Sequence, residues 1–182
     1  MSIEHRIGDV TLDIVEGDIT RQHEFDAVVN AANAQLTTGG GVAGAIHRAA
    51  GPGLAVECRP LAPIRPGEAV LTSAHELPNS HVIHCLGPVY GADEPAADLL
   101  ASCYRQALDR AEHYRLTGVA FPALSTGAFG YPMDEAAEVA LGTMLDAAPG
   151  LSSVRRIRFV LRGQAALDTH RTALDRLTGT GM

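Results

Sequence analysis

The chain of 182 residues is the size of one globular domain, and with 46% apolar and 19% charged residues it can bury a real core. Its net charge of −7 lacks the basic surface that a nucleic-acid backbone demands, which excludes nucleic acid as a bulk polyanionic partner and leaves a small anionic ligand open. All 14 basic side chains are arginine, so a Walker A phosphate loop, a protein-kinase site and a Schiff-base or pyridoxal lysine are excluded, each needing an ammonium at a fixed place.

Residues 11–16 (TLDIVE) alternate apolar and polar side chains and predict a half-buried strand, and 27–30 (AVVN) read as a short buried one. Residues 42–50 are helix-permissive, and Gly51, Pro52 and Gly53 stop that helix. Strands follow over 68–73 and 81–86, separated by the turn-rich LPNS. The helical spacing of Leu99, Leu100, Cys103, Ala107, Leu108 and Ala111 predicts a long amphipathic helix over 95–116. A buried strand over 118–122 precedes a helix over 132–147, with Pro132 in its first turn and Asp134 and Glu135 complementing its positive end. Residues 155–161 alternate again, and 165–177 close the chain as a helix, leaving 178–182 as an expected frayed tail.

Strands interleaved with helices predict an α/β fold whose central sheet is covered on both faces. The closely connected strands over 68–86 suggest an antiparallel element, so the sheet is expected to be mixed. The proline-rich 60–66 (PLAPIRP) reads as a connector inside one domain. Three cysteines without a Cys-x-x-Cys pair argue against a disulfide framework or zinc ribbon. Charges in the first ten residues argue against a signal peptide, and no stretch reaches the ~18 apolar residues of a membrane span. A soluble, cytoplasmic protein with no membrane partner is expected.

Two glycine-rich segments stand at strand-to-helix junctions, LTTGGGVAG over 36–44 and LSTGAFG over 124–130. Each reads as an ordinary turn or as a place where glycine lets main-chain amides and a helix N-terminus face a phosphate; the pair together suits two phosphates or one diphosphate. Gly39, Gly41 and Gly44 also match G-x-G-x-x-G, yet residues 31–38 separate them from their strand, which argues against a dinucleotide fingerprint. Ser125 lacks the preceding glycine of a nucleophile elbow. His81, His84 and Cys85 suggest a metal cluster by composition, but residues three apart on a strand face opposite ways, and packing is the better expectation. Asn30 and Asn33 sit at a strand's carboxyl end, where such sheets bind ligands. Asn33 is expected to hold a hydroxyl or a water, and Asn30 to tie down the loop backbone. Asp18 is either a helix cap or an acceptor for an exocyclic amine.

The blocks GDIT (17–20), VVNAAN (28–33), GGGVAGAIHRAAG (39–51), VIHCLGP (82–88) and PALSTGAFGYP (122–132) together resemble a macrodomain, the ADP-ribose-binding module, and are most similar to its MacroD-type hydrolases and deacetylases. The resemblance implies a three-layer α/β/α macrodomain fold spanning residues 1–182, working as a monomer without metal or cofactor. It implies that Asp18 and the backbone at Ile19 bind adenine. It implies a place in the pocket for Ala31. Gly40, Gly41 and Val42 hold the diphosphate and distal ribose from one side, and Ser125, Thr126, Gly127, Ala128 and Phe129 from the other. Asn33 orients a water, Phe129 sets the ribose angle, and Arg162 stacks on adenine where many relatives have an aromatic. Asn33 and Phe129 are the implied catalytic residues.

One departure from the pattern bears on the chemistry: Ala43 stands where MacroD-type enzymes usually carry an acid. A lost general base costs ~10²–10⁴ in rate, leaving the substrate's own α-phosphate to activate the water. The expectation is therefore hydrolysis of ADP-ribosyl esters, on protein Asp or Glu side chains and in O-acetyl-ADP-ribose. The alternative is a reader that binds ADP-ribose without turnover.

Overall fold

The computed structural model describes residues 2–180. Seven strands, β1 (Ser2–Ile7), β2 (Val10–Glu16), β3 (Ala27–Ala31), β4 (Ala69–Ser73), β5 (His81–Cys85), β6 (Gly118–Phe121) and β7 (Arg156–Leu161), form one sheet in the order β1-β2-β7-β6-β3-β5-β4. The five inner strands run parallel, and the outer pairs β1/β2 and β4/β5 are antiparallel. The sheet is mixed, as the closely spaced strands over 68–86 predict.

Side-chain alternation divides the core into two layers. Leu12, Ile14, Ala27, Val29, Ile83, Cys85, Val119, Phe121, Ile157 and Phe159 face α3 (Ala96–His113), α4 (Met133–Ala147) and α5 (Gln164–Thr178). At the centre of this layer the rings of Tyr104, Phe121 and Phe159 lie 5.5–5.8 Å apart, within the range of favourable aromatic contact. The opposite face presents Val28, Val82, Ala120 and Val160 to α1 (Gly41–Ala50) and α2 (Gly53–Cys58). Helices on both faces give a three-layer α/β/α fold.

Several boundaries differ from expectation. Residues 2–7 form an edge strand that the charged N-terminus hides, because its side chains alternate between half-buried and exposed with no fully buried position. Gly51 ends α1 with φ +83°, but α2 starts at once from Gly53 and is too short to show a helical period. Pro132 is the N-cap of α4, one position before its first turn. Thr178 belongs to α5, which Gly179 closes in a left-handed conformation; of the expected frayed tail, 181–182 lie outside the described residues.

Candidate functional site

All five parallel strands point their carboxyl ends at one rim, and β3 and β6 meet there side by side although they are distant in the chain. Open α/β sheets bind ligands at such a junction. A cavity of about 470 Å³ opens at this rim, within the ~300–1,000 Å³ of small-molecule sites. The segments at the end of β3 (Ala31, Ala32, Asn33), around the start of α1 (39–43), after β6 (122–129) and at the end of β7 (Val160, Leu161, Arg162) line it, together with Gly87, Met133 and Ala166.

The first turn is shaped by sterics. A Cβ on Gly44 would lie 2.3 Å from the carbonyl oxygen of Gly39 and 3.0 Å from Arg48 Nη1, so only glycine lets α1 settle onto the loop before it. Gly41 has φ +56°, a conformation that L side chains rarely adopt. Gly40, the N-cap, offers no side chain to the helix end. In the second turn, Gly130 and Tyr131 donate to the carbonyls of Gly127 and Ser125 at 3.0 and 2.9 Å. Among the described residues, the amides of Gly40, Gly41, Val42 and Ala43, and those of Thr126, Gly127, Ala128 and Phe129, have no internal acceptor. Two sets of free donors thus flank one cavity, an arrangement suited to anionic oxygens.

Ser125 holds the second turn close to the loop after β5. Its φ is +66°, and a Cβ on Gly87 would sit 2.1 Å from its Oγ. That oxygen is buried with no hydrogen-bond partner among the described residues. A non-glycine residue in this conformation costs about 1–3 kcal/mol and persists where the surroundings fix it.

Eleven of the thirteen ligand residues expected from the sequence line the cavity. Asp18 and Ile19 do not. Ile19 is buried in the α1/α2 layer, and Asp18 caps the short 3-10 turn Ile19–Arg21, its Oδ1 accepting from Thr20 N at 2.9 Å and Thr20 Oγ1 at 2.7 Å. These Thr20 bonds, with Arg21 and Arg162 contributing, hold the Asp18 carboxyl below its ordinary value. Oδ2 lies 3.8 Å from Arg21 Nε. Arg162 is exposed, lines the cavity and is electrostatically coupled to Asp18.

The two asparagines depart from expectation in different ways. Asn33 ties the loop: its Oδ1 accepts from Thr37 N (3.1 Å) and Thr37 Oγ1 (3.3 Å), and its Nδ2 donates to Thr37 O (3.0 Å). One Nδ2 hydrogen remains for a ligand or a water. Asn30 does not tie the loop backbone; it lies buried and donates from Nδ2 to His84 Nδ1 at 3.1 Å. With Nδ1 accepting, His84 Nε2 carries the proton and donates to Thr72 Oγ1 at 3.0 Å. Burial drives the His84 pKa down to about 3, so the ring is a neutral core group.

No carboxylate or imidazole lines the cavity, and Arg162 is its one charged side chain among the described residues. Ala43 is buried there with only a methyl group. His47 is 7% exposed, packs in the layer between α1 and the sheet and is held below its usual pKa by burial. Elsewhere Ser73, His75 and Glu57 cluster, but the hydroxyl (3.3 Å) and the carboxylate (2.8 Å) both meet His75 Nε2. A relay needs them on opposite ring nitrogens. Among the described residues no three His, Cys, Asp or Glu side chains are grouped to hold a metal, and no helix is long and apolar enough to cross a membrane.

Sequence reasoning assigned no role to Gly87, Met133, Val160 or Ala166. Gly87 had a signal in its place directly beyond a buried strand; Met133 starts α4 just past the second turn, and Val160 and Ala166 reach the cavity only when β7 and α5 dock.

The macro domain family model matches residues 29–140. A macro domain-containing protein of Streptomyces nogalater is 48% identical over 165 residues, covering 87% of this chain and 89% of its own. The Oceanobacillus iheyensis macrodomain with ADP superposes with a TM-score of 0.95 at 36% identity, over 100% of this chain and 98% of that one. The Trypanosoma brucei macrodomain in complex with ADP-ribose does so at 0.84 and 35%, over 90% and 68%. The rim cavity with its paired amide turns therefore lies in a chain that belongs to the macro domain family.

Proposed function

We propose that this chain binds ADP-ribose in the rim cavity and hydrolyses ADP-ribosyl esters, releasing ADP-ribose from modified Asp or Glu side chains and from O-acetyl-ADP-ribose. The observation that carries the reading is the pair of free-amide turns facing each other across the cavity. Neutral donors bind a pyrophosphate in a chain of net charge −7 without a cluster of basic side chains. The solved relatives with ADP and ADP-ribose support this choice of ligand. Asp18 and Arg162 form the adenine end, with Arg162 stacking on the base.

In the reaction the water's oxygen bonds to the ribose carbon that carries the ester, the bond from that carbon to the carboxylate oxygen breaks, and the carboxylate departs; for an O-acetyl ester the water adds at the acyl carbon and the ribose oxygen leaves, taking up a proton. Asn33 orients that water with its remaining Nδ2 hydrogen, and Phe129 sets the angle of the ribose. With no acid or imidazole lining the cavity, the water's proton passes to the substrate's own α-phosphate, and turnover is slow. The protein acts as a monomeric macrodomain over residues 1–182. A cytoplasmic setting accords with its free, buried Cys58, Cys85 and Cys103.

A substrate ADP-ribosylated on a carboxylate tests the reaction. Release of ADP-ribose above the buffer rate, reduced in Asn33→Ala, is the expected result; equal rates for wild type, variant and buffer overturn hydrolysis. Ala43 favours a second reading, a reader that retains ADP-ribose without turnover. If the missing base limits the rate, Ala43→Asp raises it by ~10²-fold or more.

A further inference from the structure

A second concavity, of about 690 Å³, lies beside the rim cavity between the loop after β5 and the start of α4. Its walls include Tyr90 and Tyr131, whose ring centroids are 4.8 Å apart and tilted by 57°. Tyr90 is 44% exposed and the adjacent Val89 37%, two of the few large apolar side chains left open to solvent. Glu94, Glu135 and Glu138 line the same groove.

We propose that this groove seats an arginine- or lysine-bearing segment of the protein whose ADP-ribosyl group occupies the rim cavity. The inference rests on the function proposed above and names its partner by chemistry.

The surroundings are negative. Tyr90 Oη donates to Glu135 Oε2 at 3.3 Å. Glu135, Glu94 and Asp134 all raise the Tyr90 pKa, Glu135 foremost. Arg176 pairs with Glu138, while among the described residues neither Glu94 nor Glu135 has a basic partner. Carboxylates around the open face of Tyr90 suit a cation on an apolar stem: the head meets the acids, and the stem or guanidinium plane lies on that ring. A basic occupant also complements a chain of net charge −7.

The groove adjoins the cleft through shared backbone. Tyr90 N donates to Phe129 O at 2.9 Å, and Tyr131 N to Ser125 O at 2.9 Å. Met133 lines the cleft and Glu135, on the same helix, lines the groove. A protein held by its ADP-ribosyl group joins the ligand at the distal ribose, which the proposed binding mode sets against Phe129. Its own chain then emerges at the turn that walls both cavities.

The test uses peptides bearing ADP-ribose through a non-hydrolysable link, flanked by arginines, by serines or by glutamates, with free ADP-ribose as control. The arginine peptide is expected to bind about tenfold more tightly than the serine peptide, equivalent to about 1.4 kcal/mol, and the glutamate peptide more weakly. Added salt shrinks the difference. Tyr90→Ala and Glu135→Gln abolish it and leave free ADP-ribose affinity unchanged. Equal affinities for the three peptides, or a preference that survives both variants, overturn the proposal. A dimer in solution that Tyr90→Ala dissociates assigns the groove to a second copy and also overturns it. Loss of free ADP-ribose binding in the wild type is a different failure, that of the cleft's assignment; the unmodified arginine peptide then reads the groove alone, with binding lost in Glu135→Gln as support and no binding as refutation.

Discussion

On the side of the sheet covered by α3, α4 and α5, apolar strand residues meet apolar helix residues around the Tyr104, Phe121 and Phe159 rings. On the side covered by α1 and α2, the sheet buries Asn30 and His84. Nearby, Arg158 grips Asp13 through Nε and Nη2 at 3.0 and 2.8 Å and reaches Gln22 and Glu24. The first layer derives its stability from area removed from water. The second gives up some of that gain for directional bonds, and it is the layer that carries the first amide turn. Buried polar pairs have stringent geometry and tolerate fewer alternative packings, which suits a helix whose first turn lies so close to the loop before it that position 44 has no room for a side chain.

The sharpest separation comes from Leu108→Ala, deep in the first layer and 1% exposed. It is expected to cost about 2–5 kcal/mol of stability, read as a lower melting temperature, with ADP-ribose affinity unchanged in the folded protein. An equal loss of affinity would mean that the layers are not independent. Gly44→Ala reverses the pattern: displaced from the loop, α1 misaligns its amides, and ADP-ribose binding falls by about tenfold or more, about 1.4 kcal/mol by calorimetry.

Acid gives the most gradual and most diagnostic effect. Burial holds the folded His84 pKa at about 3, below the ordinary imidazole value of 6.5, so the unfolded chain binds the extra proton first. Stability is complete above pH ~6.5 and declines as pH falls towards 3, by at most about 1.4 kcal/mol per unit for one group. His47 and His170, also lowered by burial, add in the same direction. Glu112 in the first layer's α3 is held at about 2 by amides and the hydroxyl of residues 152–154; its contribution is present above pH ~4.5 and is lost only as pH falls from there towards 2. Melting curves of His84→Asn are therefore expected to fall less steeply between pH 6.5 and 4.5, where Glu112 adds nothing, and to keep the Glu112 part of the decline below that. An unchanged slope in the upper window would remove His84 from the account.

The parallel strands and main helices were legible because each buries a run or a stripe of apolar side chains. β1 was hidden because an edge strand exposed on one side carries polar residues, and α2 because six residues hold less than two turns. In the site, the glycine turns announced themselves by composition. The partners of Asn30 and Asn33 did not, since they depend on which neighbour each amide meets, and His84 lies 54 positions from Asn30 along the chain. Gly87 and the cleft-lining residues from β7 and α5 become neighbours only when the sheet assembles.

That assembly sets a condition on the cleft itself. Its walls come from stretches as far apart as Ala31 and Ala166, so no proteolytic fragment from either half of the chain contains a complete set of donors. Occupancy therefore reports that the last crossover has docked. Ligand at a hundred times its Kd adds about 2.7 kcal/mol to the global unfolding free energy rather than to one lobe, and hydrogen exchange should slow in every strand together.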